Sequence, residues 1–132
     1  MDGFRAVVEH RVIFRDLDVL GHVNNAVYAT YFEWGRIEYL HAIGAEGLGL
    51  ILAELTVSYK SQAFMREQLV IGTRVSEIKN SSFIVEGRIE EKTTGRLVAT
   101  SRAVIVHFDY AENRATPLPQ EWRERIAAFE GW

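Results

Sequence analysis

Cysteine is absent from all 132 residues. Disulfides, thiolate zinc sites, iron–sulfur clusters and cysteine nucleophiles are therefore excluded, and the lack fits a cytoplasmic protein. Proline is nearly absent. The two present, Pro117 and Pro119, sit near the end, so the chain before them is free of the strongest breaker of helices and strands. No apolar run approaches the roughly 18 residues of a membrane span, and no membrane partner is expected. The opening Met1-Asp2-Gly3-Phe4-Arg5 carries an acid and no long apolar stretch, which reads against a secretory leader. Positive charge is in short supply, with 15 Lys+Arg against 18 Asp+Glu and a net charge of −3. Phosphate binding usually rests on a basic excess, so nucleic acid is not the expected partner. The four histidines, His10, His22, His41 and His107, show no metal spacing, and no metal site is expected.

What is present suits one soluble globular domain spanning residues 1–132. Apolar residues make up 48% and charged residues 25%, and the length supports one substantial core but not two. Residues 6–14 read as a strand through Val7, Val8, Val12, Ile13 and Phe14. Residues 26–43 read as one long helix with an apolar stripe of Tyr28, Phe32, Gly35, Tyr39, Ala42 and Ile43. Val27, Trp34 and Ile37 lie on its far side, so the helix is apolar nearly all round and is expected to be buried. Gly44 and Gly47 end it. Residues 50–60 alternate, and strands over 68–79, 82–91 and 96–108 follow. Asn80-Ser81 and Thr93-Thr94-Gly95 supply the turns, and 119–129 reads as a short closing helix. The expected class is α+β, a five-stranded antiparallel sheet wrapped around one long buried helix. One sheet round one helix leaves surfaces that a homo-oligomer would bury.

Polar functional groups are densest from Arg15 to Asn25, which holds Asp16, Asp18, His22, Asn24, Asn25 and Gly21 between a strand and the helix start. A helix N-terminus presents unpaired N–H groups and a positive dipole end, and can hold an oxyanion. A carboxylate beside such a place could carry chemistry. The plainer reading stands next to it: Asp and Asn before a helix are often only caps and turn formers, and Asp16 reads as a turn residue. A calcium loop fails at Leu20 and Val27. There is no Gly-x-Ser-x-Gly elbow and no Walker lysine.

Asp-Leu-Asp-Val-Leu-Gly-His-Val-Asn-Asn-Ala-Val-Tyr, Asp16 to Tyr28, with Tyr-Phe-Glu-Trp-Gly-Arg, Tyr31 to Arg36, resembles the hot-dog-fold acyl-CoA thioesterases. More narrowly it resembles the 4-hydroxybenzoyl-CoA thioesterase-like group in its His-Val-Asn-Asn branch. The resemblance implies that Asp18 is the catalytic carboxylate, that the backbone N–H of Asn25 polarises a thioester carbonyl, and that His22 has a part in some branches. It implies apolar walls for the acyl group that include Tyr28. The nucleotide end of coenzyme A would meet cations such as Lys60, Arg66, Lys79 or Arg88, with Ser82 as a hydrogen-bond donor. No cofactor is implied, since coenzyme A thioester is the substrate, and the family's habit is a homodimer or homotetramer. Leu20 stands where the plant acyl carrier protein enzymes have an Asn, and Ser61-Gln62-Ala63 lacks the proline of many relatives. Glu33 is a reserve carboxylate by analogy with another branch, although a local pair with Arg36 is its default reading. The competing readings are a dehydratase, a thioesterase acting on acyl carrier protein, a structural oligomerisation module and a non-catalytic acyl-thioester sensor.

Overall fold

The structure, a computed structural model, describes residues 1–45, 47 and 49–132. The chain opens with strand β1 (Ala6–Arg11), passes through a single 3-10 turn (Phe14–Asp16) and enters the long helix α1 (Val27–Ala42). Four strands follow, β2 (Leu50–Tyr59), β3 (Gln68–Ile78), β4 (Ser82–Glu91) and β5 (Leu97–Asp109). The two-residue β6 (Arg114–Ala115) and helix α2 (Gln120–Glu130) complete it. The sheet runs β1-β3-β4-β5-β2 with every pair antiparallel. The sheet has six strands, one more than expected, because β6 folds back onto the end of β5. Strand β1 is shorter than its apolar run. Val12 is buried, but Ile13 and Phe14 leave the ladder and face solvent.

Hairpin chemistry sets the order. Lys79 N–H donates to Ser82 O at 2.7 Å across the Asn80-Ser81 turn. The β4–β5 link closes through Glu91, whose carboxylate accepts from Thr94 N–H, with Gly95 at φ +74°. In β4, Phe83, Val85, Gly87 and Ile89 face the helix as the alternation requires. Helix α1 lies across the sheet, burying Tyr28, Tyr31, Phe32, Gly35 and Tyr39. It is not buried all round: Ile37 is 56% and Trp34 37% exposed in the single chain. One sheet covers one face of a helix, and the apolar far side stays open.

The core has two centres along the helix. Near its start, Tyr28, Tyr31 and Phe32 pack with Val12, Val23, Ala63, Leu69, Ile71 and Ile89. Near its end, Tyr39 and Ile43 pack with Val75, Phe83, Ile105, Leu118 and Ile126 of α2. Glu130 staples the second centre, accepting from Tyr39 O–H at 2.7 Å and from Val75 N–H at 2.9 Å. Burial first, and this carboxylate second, push the Tyr39 phenol well above its ordinary pKa. Among the described residues no helix is long and apolar enough to cross a membrane.

Candidate active site

Between the 3-10 turn and α1 the backbone forms a miniature hairpin. Leu17 and Val23 bridge, Asp18 N–H donates to His22 O at 2.9 Å, and Asn24 N–H donates to Asp16 O at 2.9 Å. Its tip turns at Gly21, whose φ of +87° is a left-handed conformation that glycine adopts without strain. Asp18 and His22 stand opposite each other on this ladder, and opposed residues project side chains to the same face. Their side chains meet: His22 Nδ1 lies 3.5 Å from Asp18 Oδ2 and 3.3 Å from the Val23 carbonyl oxygen. Asp18 Oδ1 accepts from Leu20 N–H at 2.8 Å. A second ladder flanks the first, as His22 bridges Phe64 and Val23 N–H donates to Ala63 O at 2.9 Å. The loop after β2 thus zips onto the hairpin. Arg96 holds that loop in turn, bonding Glu67 at 2.9 Å, the Gln62 carbonyl at 3.0 Å and Ser61 at 3.2 Å.

The helix start is capped indirectly. Asn24 Oδ1 accepts from Ala26 N–H and the Asn24 carbonyl from Val27 N–H, both at 2.9 Å. Asn25, between them, has an N–H that no described residue accepts, while its carbonyl accepts from Tyr59 O–H at 2.9 Å. Tyr59 also packs edge-on to Tyr28, with ring centroids 5.4 Å apart. Burial, opposed by a hydrogen bond with Ala63, raises the Tyr28 phenol above its ordinary pKa.

These residues line one open cleft of about 390 Å³ whose walls include Asp18, His22, Asn25, Tyr28, Tyr59 and Lys60. The cleft gathers five of the six site residues expected from sequence, namely Asp18, His22, Asn25, Tyr28 and Lys60. Ser82 stands apart, opening β4 at the far hairpin, where its carbonyl accepts from Lys79. Arg88 is engaged by Glu90, and Lys79 lies at the same hairpin as Ser82. Of the four cations considered, only Lys60 lines the cleft. Glu33 and Arg36 make no ion pair with each other. They line a separate, more apolar hollow of about 170 Å³ between α1, the start of β2 and Ile105. That hollow is the better enclosed of the two, but it lacks Asp18 and the helix N-terminus. Burial lowers the Arg36 pKa, partly offset by the charge of Glu33. Tyr59, with Val23, Ser61 and Gln62, lines the cleft but is not among the site residues expected from sequence. It closes the alternating run of β2, and only the fold brings its hydroxyl to the helix start. Asp16 is no simple turn residue either; it is 7% exposed and bonded to His10 at 2.8 Å.

Residues 12–126 match the Thioesterase-like superfamily, and the chain belongs to it. The chain is 36% identical to a thioesterase from Thermus thermophilus whose crystal structure is complexed with coenzyme A and Zn. The two superpose with a TM-score of 0.92 over 100% of this chain and 99% of that one. It is 26% identical to the long-chain acyl-CoA thioesterase FadM of Escherichia coli, over 83% of this chain and 88% of that protein. It is 28% identical to the acyl-CoA thioesterase YbgC of Haemophilus influenzae, over 84% and 86% of the two chains.

Proposed function

We propose that the protein is an acyl-CoA thioesterase, hydrolysing a thioester to the free acid and coenzyme A. The observation that carries this reading is the meeting, in one cleft, of the Asp18 carboxylate with a helix-start N–H at Asn25 that no described group accepts. The similarity to named acyl-CoA thioesterases and to a coenzyme A-bound structure supports it. The His-Val-Asn-Asn stretch supports the finer placement in the 4-hydroxybenzoyl-CoA thioesterase-like group.

A thioester carbonyl is a ready electrophile and a thiolate a good leaving group, so the reaction as written calls for no metal or redox cofactor. Its carbonyl oxygen would take the Asn25 N–H, helped by the positive end of α1, as negative charge develops there. Loss of one such donor typically costs about 10²–10³ in rate. Asp18 acts in one of two ways. As nucleophile, its oxygen bonds the carbonyl carbon, the C–S bond breaks, the thiolate leaves, and water cleaves the resulting anhydride. As general base, it takes a proton from the water that attacks the carbon, and the C–S bond breaks in the same sense. His22, at 3.5 Å, holds the carboxylate or a water beside it. Tyr28 and Tyr59 form the apolar wall and Lys60 the cation at the mouth. The net negative charge favours coenzyme A over the acidic acyl carrier protein as the carrier. Cytoplasmic location agrees with the missing cysteines.

A second copy completes the assembly in this reading. Strand β2 is an unpaired sheet edge, and Leu52 on it and Ile37 on α1 are exposed apolar groups beside the self-complementary charges Glu33 and Arg36. A homodimer through this face, or a tetramer of two such dimers, is expected in sedimentation.

The test is thiol release from a panel of acyl-CoA thioesters by wild type and Asp18→Asn. Turnover by wild type, falling by two or more orders of magnitude in the variant, is expected. Equal rates would remove Asp18 from the mechanism, and saturable binding without turnover would favour a sensor.

A further inference from the structure

Asp16 is a carboxylate that the chemistry above does not use, and it is more deeply buried than Asp18, with its side chain 10% exposed against 24%. Its Oδ2 accepts from His10 Nε2 at 2.8 Å and from Ile13 N–H at 3.1 Å. Its backbone carbonyl accepts from Asn24 N–H at 2.9 Å, just ahead of the first turn of α1. The miniature hairpin bearing Asp18 and His22 is thus clamped at its base by one residue, which ties the strand side to the helix side. His10 anchors that clamp to the scaffold. It sits in β1, and its ring packs 5.0 Å from Tyr31 and 4.9 Å from Trp34, both on α1. Strand, hairpin and helix side therefore converge on one residue, the strand through its carboxylate and the helix side through its carbonyl. The tip beyond it is held by hydrogen bonds to Asp18 with little packing, since Val19 and Leu20 are exposed.

We infer that the His10–Asp16 pair is a positioning device, setting the hairpin so that the Asp18 carboxylate stands at a fixed distance from the Asn25 N–H. This rests on the thioesterase reading for its consequence in rate, though not for its consequence in geometry. A buried carboxylate is normally costly. Burial pushes the Asp16 carboxyl up, but the bonds from His10 and Ile13, helped by the Tyr31 hydroxyl and the His10 charge, outweigh it and hold it below the ordinary carboxylate range. It stays ionised and keeps its clamp at neutral pH. Displacement of a reacting group by about 1 Å can cost about 10²-fold in rate, so a brace remote from the substrate has leverage on kcat.

The experiment uses four single variants of the full chain and the double disruptive variant, each checked for folded content by circular dichroism, with rates expressed per folded molecule. His10→Leu fills similar space with no donor, whereas His10→Gln offers an amide to the same oxygen. Asp16→Ala removes the side-chain half of the clamp and leaves the carbonyl bond to Asn24, whereas Asp16→Asn keeps an acceptor for Ile13 and a polar group for His10. We expect His10→Leu and Asp16→Ala each to lower kcat about tenfold or more with KM within about twofold, and the double variant to fall no further than the worse single one. His10→Gln and Asp16→Asn should regain most of the loss. Unchanged kcat in both disruptive variants, losses that multiply in the double variant, or no recovery in the conservative pair would each overturn the proposal. A second readout needs no activity. The His22 ring signals in an NMR spectrum should move in His10→Leu along the direction they take in Asp18→Asn, since both loosen the same contact. If His22 keeps its wild-type position in His10→Leu, the brace is refuted whatever the enzyme hydrolyses. If wild type releases no thiol from any thioester while those signals do move, the thioesterase reading falls and the brace stands.

Discussion

Replacing Gly35 by alanine puts a definite load on the seam between helix and sheet. Gly35 lies on the buried face of α1, and a Cβ there would fall far inside contact distance of Thr73 Oγ1 on β3, with Ile71 Cγ2 at 3.1 Å. Two effects oppose each other. Alanine in a helix interior is favoured over glycine by about 1 kcal/mol. Overpacking a tight interface costs about 1–3 kcal/mol. Thr73 is 1% exposed and β-branched, so rotating its side chain tends to bring its methyl toward the space its hydroxyl leaves. The clash is met by the backbone, and overpacking wins. The expected net loss is up to about 2 kcal/mol, or up to about 8 °C in Tm for a chain of this length. Because Asn25 sits just ahead of α1, a displaced helix also moves the proposed oxyanion donor, and kcat should fall more than stability implies. The control is the same change in a Thr73→Ala background. The nearest obstacle is then gone, and the helix-propensity gain should turn Gly35→Ala neutral or stabilising. Urea denaturation of the four proteins at one fixed protein concentration measures the coupling, expected at about 1 kcal/mol or more. An equal cost of Gly35→Ala in both backgrounds, or stabilisation in the wild-type background, would refute the packing argument.

Three further outcomes follow from the geometry. Tyr59→Phe removes the hydrogen bond to the Asn25 carbonyl while keeping the ring against Tyr28; a fall in kcat of about three- to thirtyfold with little change in Tm is expected from a lost bond of about 0.5–1.5 kcal/mol plus freedom at the helix start. The buried Tyr31 hydroxyl meets no acceptor within hydrogen-bond distance among the described residues, yet it lies near enough to Asp16 for each to shift the other's pKa, so Tyr31→Phe should cost less than about 1 kcal/mol by thermal unfolding; a larger loss would show a full hydrogen bond to Asp16. Asp16 makes stability depend on acid. Its folded pKa lies below the unfolded value of about 3.9, so its contribution is present above that pH and drains away as pH falls through the depressed folded value. Urea midpoints measured from pH 6 down to pH 3 should fall less steeply in Asp16→Asn than in wild type, and parallel curves would show that Asp16 is not the group responsible.

The fold was largely legible because its signals are local. Alternation over 82–91 states which face of β4 is buried, and the turns at Asn80-Ser81 and Thr93-Thr94-Gly95 are where such residues belong. The long helix shows in the recurrence of Tyr28, Phe32, Gly35 and Tyr39, and its limits are one residue inside those expected. The errors share a cause. Ile13 and Phe14 read as strand because they are apolar, yet a strand also needs a partner, and β3 pairs only as far as Arg11. Trp34 and Ile37 read as buried because apolar side chains usually seek cover, but one sheet cannot cover two sides of a helix. Periodicity reports which residues prefer to be hidden and is silent on what will hide them. Asp18, His22 and Asn25 stood out as part of a polar run within eight consecutive positions, and the family resemblance, not their spacing, suggested a role for each. Tyr59 reaches the site from 34 residues away, beyond any local spacing rule. His10 and Asp16 are close in sequence, but the chain leaves β1 and turns between them, and neither helix nor strand periodicity predicts that their side chains meet.

That contrast also bears on whether Asp18 is a turn former or a reacting group. The structure makes the two roles compatible, because a carboxylate has two oxygens. Oδ1 accepts the Leu20 N–H at 2.8 Å and so stabilises the hairpin tip, as any Asp at a turn would. Oδ2, thereby oriented, faces His22 on the wall of the cleft. The bond that makes Asp18 look ordinary fixes its rotamer, and a fixed rotamer is what an attacking oxygen or a proton acceptor needs. Two residues earlier, Asp16 repeats the device at the base of the hairpin, committing its side chain to His10 and its carbonyl to Asn24. A loop with so few apolar anchors would otherwise wander. Hydrogen bonds from successive aspartates do for it what packing does for α1, and this accounts for a polar segment lying between a strand and a helix that are both held by the core.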